Sequence, residues 1–160
     1  MNNDLYTFFW SGMFSQWYAS PFKVDGIQYN CAEQFMMHSK ALMFEDYETA
    51  ELIMNTPNPK IQKQLGRQVK NFNADSWNAV AKTVVYIANI AKFTHSPTLL
   101  EALLATGDTL LVEASPYDTI WGIGMGEVEA RKSTKEQWRG TNWLGEVLTA
   151  VRDDIRSDTV

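Results

Sequence analysis

Cysteine is close to absent from this sequence. Cys31 is the only one in 160 residues, so no internal disulfide can form and nothing in the thiol content indicates an oxidising compartment. Histidine is nearly as scarce: His38 and His95 lie in different predicted helices and, with a lone cysteine, offer no zinc-ligand spacing. A glycine-rich phosphate cradle is missing too. Gly122-Ile123-Gly124-Met125-Gly126 has the glycines but lacks the strand before and the helix after that a dinucleotide or Walker loop requires. No nucleophile elbow marks a Ser-His-Asp or Cys-His arrangement. The expectation is a protein with no metal and no cofactor. Positive charge is in deficit, with a net charge of −5. That argues against a broad electrostatic grip on a phosphate backbone but leaves room for a basic pocket around one phosphate. The opening MNNDLYTFFW has neither the basic region nor the long apolar run of a secretion signal, and no stretch approaches a membrane span. A cytoplasmic protein without membrane partners is expected.

What is present is an ordinary globular composition, 45% hydrophobic and 21% charged, at a length that suits one domain, residues 1–160, with a real core. Aromatics are plentiful, at six Trp, six Tyr and eight Phe. Tryptophan packs cores and also stacks on sugars and bases.

Local patterning predicts a mainly α fold with a small N-terminal β-hairpin element. Phe22-Lys23-Val24 and Ile27-Gln28-Tyr29 flank Asp25-Gly26, a pair that supplies the positive φ angles of a tight hairpin turn. Helices are expected from Cys31 to about Phe44, Asp46 to Met54, Lys60 to Val69, Asp75 to Thr94, Pro97 to Ala105 and Trp143 to Arg156. In the longest of these, Trp77, Val80, Val84, Ile87, Ala88 and Ala91 fall on one stripe and should face the core. Leu110 to Glu113 is a short strand candidate, Gly107 suits a left-handed helix end, and residues 115–142 read mostly as loop.

The stretch YNCAEQFMMHSKA, Tyr29 to Ala41, organises the chain. Asn30 and Glu33 have the spacing of a capping box. Glu33 and Lys40 lie two helical turns apart, which puts a carboxylate and an amine on one helix face. Both roles stay open: Glu33 as cap or as acid, Lys40 as solvated side chain or as amine of an active-site wall. The loop EASPYDTIWGIGMG brings Glu113, Asp118, Trp121 and three glycines together. Glycines let backbone approach a ligand while an acid and an aromatic face it, although Asp118 equally suits a turn cap and Trp121 a core plug. Arg67, with Lys60, Lys63 and Lys70, forms the most basic neighbourhood, a solvated face or a phosphate contact. Asn142 suits the cap of the last helix, where free amides could also hold an anion.

Taken together, FSQWYASPFKVDGIQYNCAEQFMMHSKA, KQLGRQV, AKF at Ala91–Phe93, LLATGDTLLVEASPYDTIWGIG and GTNWLGEVL followed by VR resemble the YbiA-like family, also called the NADAR domain. Order and spacing hold from about Phe8 to Arg152. The resemblance implies a mainly α fold and metal-independent hydrolysis of a ribosyl C1′–N bond. One branch of relatives acts on phosphorylated ribosylaminopyrimidine intermediates of riboflavin biosynthesis and another on ADP-ribosylated guanine in nucleic acid. It further implies that Glu33, Lys40 and Asp118 are catalytic. Trp121, Gly122, Arg67, Asn142, Ser15, Gln16 and Trp77 are carried as substrate-binding candidates, Trp77 also suiting the core. Many relatives carry Asn in an FSNF segment, where this chain has Gln16 followed by Trp17, and the loop between Gly126 and Arg139 is long and charged. Expected partners are a small ribosyl-phosphate or ADP-ribosyl substrate or ADP-ribosylated nucleic acid. The alternative is a module that binds ADP-ribose without cleaving it.

Overall fold

The computed structural model describes residues 5–158. In chain order its elements are β1 (Tyr6–Phe9), β2 (Phe22–Val24), β3 (Ile27–Tyr29), α1 (Ala32–Met43), α2 (Tyr47–Met54), α3 (Pro59–Gly66), α4 (Ala74–His95), α5 (Pro97–Leu104), β4 (Leu110–Glu113), α6 (Glu127–Arg131) and α7 (Trp143–Asp158), with a 3-10 turn at Lys135–Gln137. The architecture is mainly α, as the sequence pattern predicts, and the described residues hold two two-stranded sheets, the expected hairpin β2-β3 and an unexpected pair β1-β4. Among the described residues no helix is long and apolar enough to cross a membrane. The chain divides into two compact units, one formed by the chain up to Ser15 and from Pro97 onward, the other by Gln16–Ser96.

In the Gln16–Ser96 unit, Asp25 and Gly26 take φ of 51° and 80° and close β2 onto β3, with Phe22 opposite Tyr29. The hairpin's buried face, Phe22 and Tyr29, joins Ala32, Phe35 and Ala88 in one apolar cluster. α1 is the buried centre of this unit: every residue from Ala32 to His38 is buried, with α2, α3 and α4 packed on it. Gly66 lets α3 approach closely, since a Cβ there would overlap the Met37 sulfur.

The N-terminus of α1 departs from the sequence expectation. Cys31, not Asn30, is the N-cap, and the Glu33 carboxylate accepts from the Trp17 indole. It is Gln34 whose Oε1 accepts from the Asn30 N–H, at 2.7 Å, while Asn30 serves distant chain, donating to the Pro57 carbonyl and accepting from Gln62 Nε2. Those long-range bonds outcompete a local cap by the Asn30 side chain. The buried face of α4 is also rotated from the predicted stripe. Val80 and Ile87 are exposed, while Ala81, Val85, Asn89, Lys92 and Phe93 are buried with Trp77 and Ala88. Two polar side chains inside hid this face from an apolar count.

In the other unit β1 runs parallel to β4, Tyr6 opposite Leu110 and Phe9 opposite Glu113. Val112, Ile123, Met125 and Ala130 form its cluster, with Tyr6, Phe8, Leu110 and Trp138 against it. A two-stranded parallel sheet leaves one edge of β4 short of partners, and side chains from α7 and the residue before it supply them. Asn142 accepts at Oδ1 from the Glu113 N–H and donates from Nδ2 to the Leu111 carbonyl, both at 3.0 Å. Thr149 Oγ1 accepts from the Leu111 N–H at 3.0 Å. Asn142→Gly, which keeps the φ of 56° accessible, strands two buried backbone groups. It is expected to cost roughly 2–4 kcal/mol, read as a lower urea midpoint with unchanged slope. A midpoint shift within error would count against this role. Residues 115–142 are mostly loop, as the sequence predicts, interrupted by the short α6 and the 3-10 turn.

Candidate functional site

Glu33 sits in the first turn of α1 and is 6% exposed. Its N–H donates to the Gln16 carbonyl at 3.0 Å, and its Oε1 accepts from the Trp17 indole N–H at 3.3 Å. Lys40 follows two turns along the same helix, partly buried. Its amine lies 4.4 Å from the centre of the Phe72 ring, a contact that favours the ammonium. Burial lowers its pKa nonetheless, with Glu33 opposing the shift and Arg67 adding to it. Arg67 is the exposed C-cap of α3. Glu33 and Arg67 thus both act on the Lys40 amine; the seven-residue spacing predicts the Glu33–Lys40 part, and Arg67 enters only through the packing of α3 on α1. Gln16 adjoins it through the bond to Glu33. Trp77 is buried at the start of α4.

In the second unit, Asp118 sits in a turn of its own making. Its Oδ1 accepts from the N–H groups of Ile120 at 2.9 Å and Trp121 at 2.8 Å. The Trp121 ring packs edge-on against Trp143, centroids 5.5 Å apart. Gly122 lies so close to the Asp118 and Glu113 carbonyls that a Cβ would come within 2.9 and 3.0 Å of them. The Gly122 carbonyl accepts from the Asn142 N–H at 3.1 Å, so Asp118, Trp121, Gly122 and Asn142 belong to one interlocked loop pair. Ser15 ends a turn in which its N–H donates to the Gly12 carbonyl. The expectation of free amides at the start of α7 is corrected. The N–H groups of Thr141, Asn142, Trp143 and Leu144 donate to carbonyls of residues 119–122, which leaves no anion cradle there.

Sequence reasoning missed Asn89 and Lys92, both on α4 and at 0% and 1% exposure. The AKF motif contained Lys92, yet a lysine inside an apolar stripe reads by default as an exposed side chain. Its amine lies 5.0 Å from the Phe93 ring and 5.8 Å from the Tyr18 ring. Burial pushes it down to about 7, with Cys31 opposing, so a large share is neutral amine at neutral pH, able to take a proton or attack a carbonyl. Between about 7 and 10.5 the unfolded chain holds a proton that the native amine has released, so native stability rises with pH across that window. Lys92→Met is expected to be more stable at pH 7 and to lose a slope of up to about 1.4 kcal/mol per pH unit. Chemical denaturation at pH 7 and 9 checks this, and equal slopes in the two proteins would contradict it. Tyr29 OH and His38 Nδ1 share a hydrogen bond of 3.0 Å in the interior, burial lowering the His38 pKa and raising that of Tyr29.

Among the described residues no group of three or more His, Cys, Asp or Glu side chains is placed to hold a metal ion.

Comparison with known proteins places these features in context. A family model described as NADAR domain matches residues 8–156, spanning both units. The chain is 38% identical to an N-glycosidase of Acanthamoeba polyphaga mimivirus, over 96% of this chain and 98% of that one. It is 30% identical to the N-glycosidase YbiA of Escherichia coli (strain K12), over 90% of this chain and 81% of the other. The NMR structure of the E. coli protein YbiA superposes with a TM-score of 0.80 at 28% identity, covering 98% of this chain and 88% of that one.

Proposed function

The chain belongs to the NADAR domain family, and on that premise we propose that it is a metal-independent N-glycosidase. Its substrate in this reading is a ribosyl C1′–N bond, in a phosphorylated ribosylaminopyrimidine or in ADP-ribosylated guanine. The observation that carries the proposal is the pairing on α1 of a carboxylate at 6% exposure, held by an indole N–H, with an amine whose charge burial disfavours.

Hydrolysis breaks the C1′–N bond with both electrons passing to nitrogen, which takes up a proton. Water oxygen bonds to C1′ and gives up a proton. Positive charge grows on C1′ and the ring oxygen between these events, and a nearby carboxylate stabilises it. Glu33 is the candidate for that charge stabilisation on α1, and Asp118 is a further candidate carboxylate for proton transfer that the family resemblance implies. Asp118 brings a carboxylate whose Oδ1 is fixed by two backbone amides. In the alternative course Lys40, in place of water, is the nucleophile toward C1′ of the opened sugar. Trp121 stacks on base or ribose, and Arg67 holds a phosphate. The net charge of −5 favours the small phosphorylated substrate over a long nucleic acid.

The test is mass-spectrometric detection of released base or sugar after EDTA-treated protein is incubated with a ribosylaminopyrimidine phosphate or with an ADP-ribosylated guanine oligonucleotide. Cleavage of either is the expected result, and the faster substrate identifies the branch. Binding of ADP-ribose with no product from either would replace this reading with a non-catalytic ADP-ribose reader.

A further inference from the structure

Two consecutive residues of one loop hold Glu33 from both ends. The Gln16 carbonyl accepts from its backbone N–H at 3.0 Å, and the Trp17 indole donates to its carboxylate at 3.3 Å. The loop is fastened in turn to α4. Asn89 donates from Nδ2 to Gln16 Oε1 at 3.0 Å and to the Val85 carbonyl at 2.8 Å. The second of these bonds fixes which way the Asn89 amide faces, because a carbonyl oxygen can accept only from the NH₂ end. The orientation of the Gln16 amide follows from it.

The arrangement is not what stability alone would select. Gln16 Nε2 and Asn89 Oδ1 are both buried with no hydrogen-bond partner, and orphaned buried polar atoms are destabilising. Apolar side chains at 16 and 89 would avoid that cost. What they would lose is the link between α4 and the loop that grips Glu33.

We infer that Trp17 is a positioning residue of the N-glycosidase reaction, held in place by the Asn89–Gln16 amide link and acting by orienting the Glu33 carboxylate. The inference rests on the reading of Glu33 as a reacting carboxylate. A donor on a carboxylate stabilises its ionised form, so the indole also bears on the pH at which Glu33 works. Glu33 acts electrostatically on Cys31 just before α1 and on Lys40 on α1; Lys92 on α4 faces Cys31, and Arg67 at the end of α3 faces Lys40. Trp17→Phe leaves all of them in place and deletes one N–H while keeping an aromatic ring.

The experiment is the pH profile of kcat and kcat/KM for the full chain on whichever substrate it cleaves. The limb that disappears in Glu33→Gln is the one to follow. Trp17→Phe is expected to move that limb upward by roughly half to one pH unit and to lower kcat about 3- to 10-fold, with KM nearly unchanged. Gln16→Leu keeps the carbonyl on Glu33 but cuts the link to Asn89, and is expected to move the limb the same way by less. It also carries the test should Trp17→Phe fail to fold, and titration of Glu33 by carbon-13 NMR reads the same shift directly. A limb and a carboxyl titration unmoved in the folded variants, with Glu33→Gln inactive, would overturn the inference alone. A fully active Glu33→Gln would overturn the underlying reading of Glu33, and the inference with it.

Discussion

Glu33→Gln is expected to lower kcat by about 100- to 1000-fold while leaving the fold intact. Glutamine has nearly the same shape and its Oε1 can still accept from the Trp17 indole, so the hydrogen bond at 3.3 Å and the packing of a side chain at 6% exposure survive. What disappears is one negative charge in a water-poor position. That charge matters most when C1′ becomes cationic, so the loss falls on kcat and much less on KM. The same substitution removes the charge that opposes the lowering of the Lys40 pKa, leaving the Lys40 amine more readily neutral. Slow turnover with an amine still able to react is the predicted combination. Wild-type kcat in a variant with a native circular-dichroism spectrum would remove Glu33 from the mechanism.

Lys40→Ala is expected to abolish covalent trapping and to reduce turnover by at least about 100-fold. In the trapped species the Lys40 nitrogen bonds to C1′ of the opened sugar and the carbonyl oxygen leaves as water, giving an imine. Borohydride then delivers hydride to its carbon and leaves a stable amine that mass spectrometry localises. Burial and the neighbouring Arg67 favour the neutral nucleophile, against Glu33 and the Phe72 ring 4.4 Å away. Lys92 is the necessary control, because burial brings its amine down to about 7. Trapping kept in Lys92→Met and lost in Lys40→Ala supports the assignment. The reverse pattern would transfer the nucleophile to Lys92, and absence of any adduct under turnover would argue for direct attack by water.

Much of this molecule was legible in the residues themselves. The Asp25-Gly26 hairpin, every helix but the short α6, and the strand from Leu110 to Glu113 follow from patterns that repeat every two or 3.6 residues and from turn residues whose φ preferences are intrinsic. The shared face of Glu33 and Lys40 is of the same kind, since helical geometry sets it within two turns. These features depend on neighbours a few positions away, and the sequence by itself determined them.

The partners of each polar group were a different matter. Asn30 suits a capping box locally, but Gln62 and the Pro57 carbonyl claim its side chain, and the Glu33 carboxylate accepts from the Trp17 indole. β1 pairs with β4, where Thr7 and Thr109 share a hydrogen bond although 102 residues apart. Asn142, carried as a substrate-binding candidate, has both ends of its amide bonded to β4. Asn89 and Lys92 turned an amide and an amine into the interior, where composition placed only apolar groups. A hydrogen bond forms with whatever group the packed chain brings within about 3 Å, and no periodicity records that. Tertiary structure alone decided which polar side chains hold the fold and which remain for chemistry, because that choice depends on distant partners competing for the same donors and acceptors.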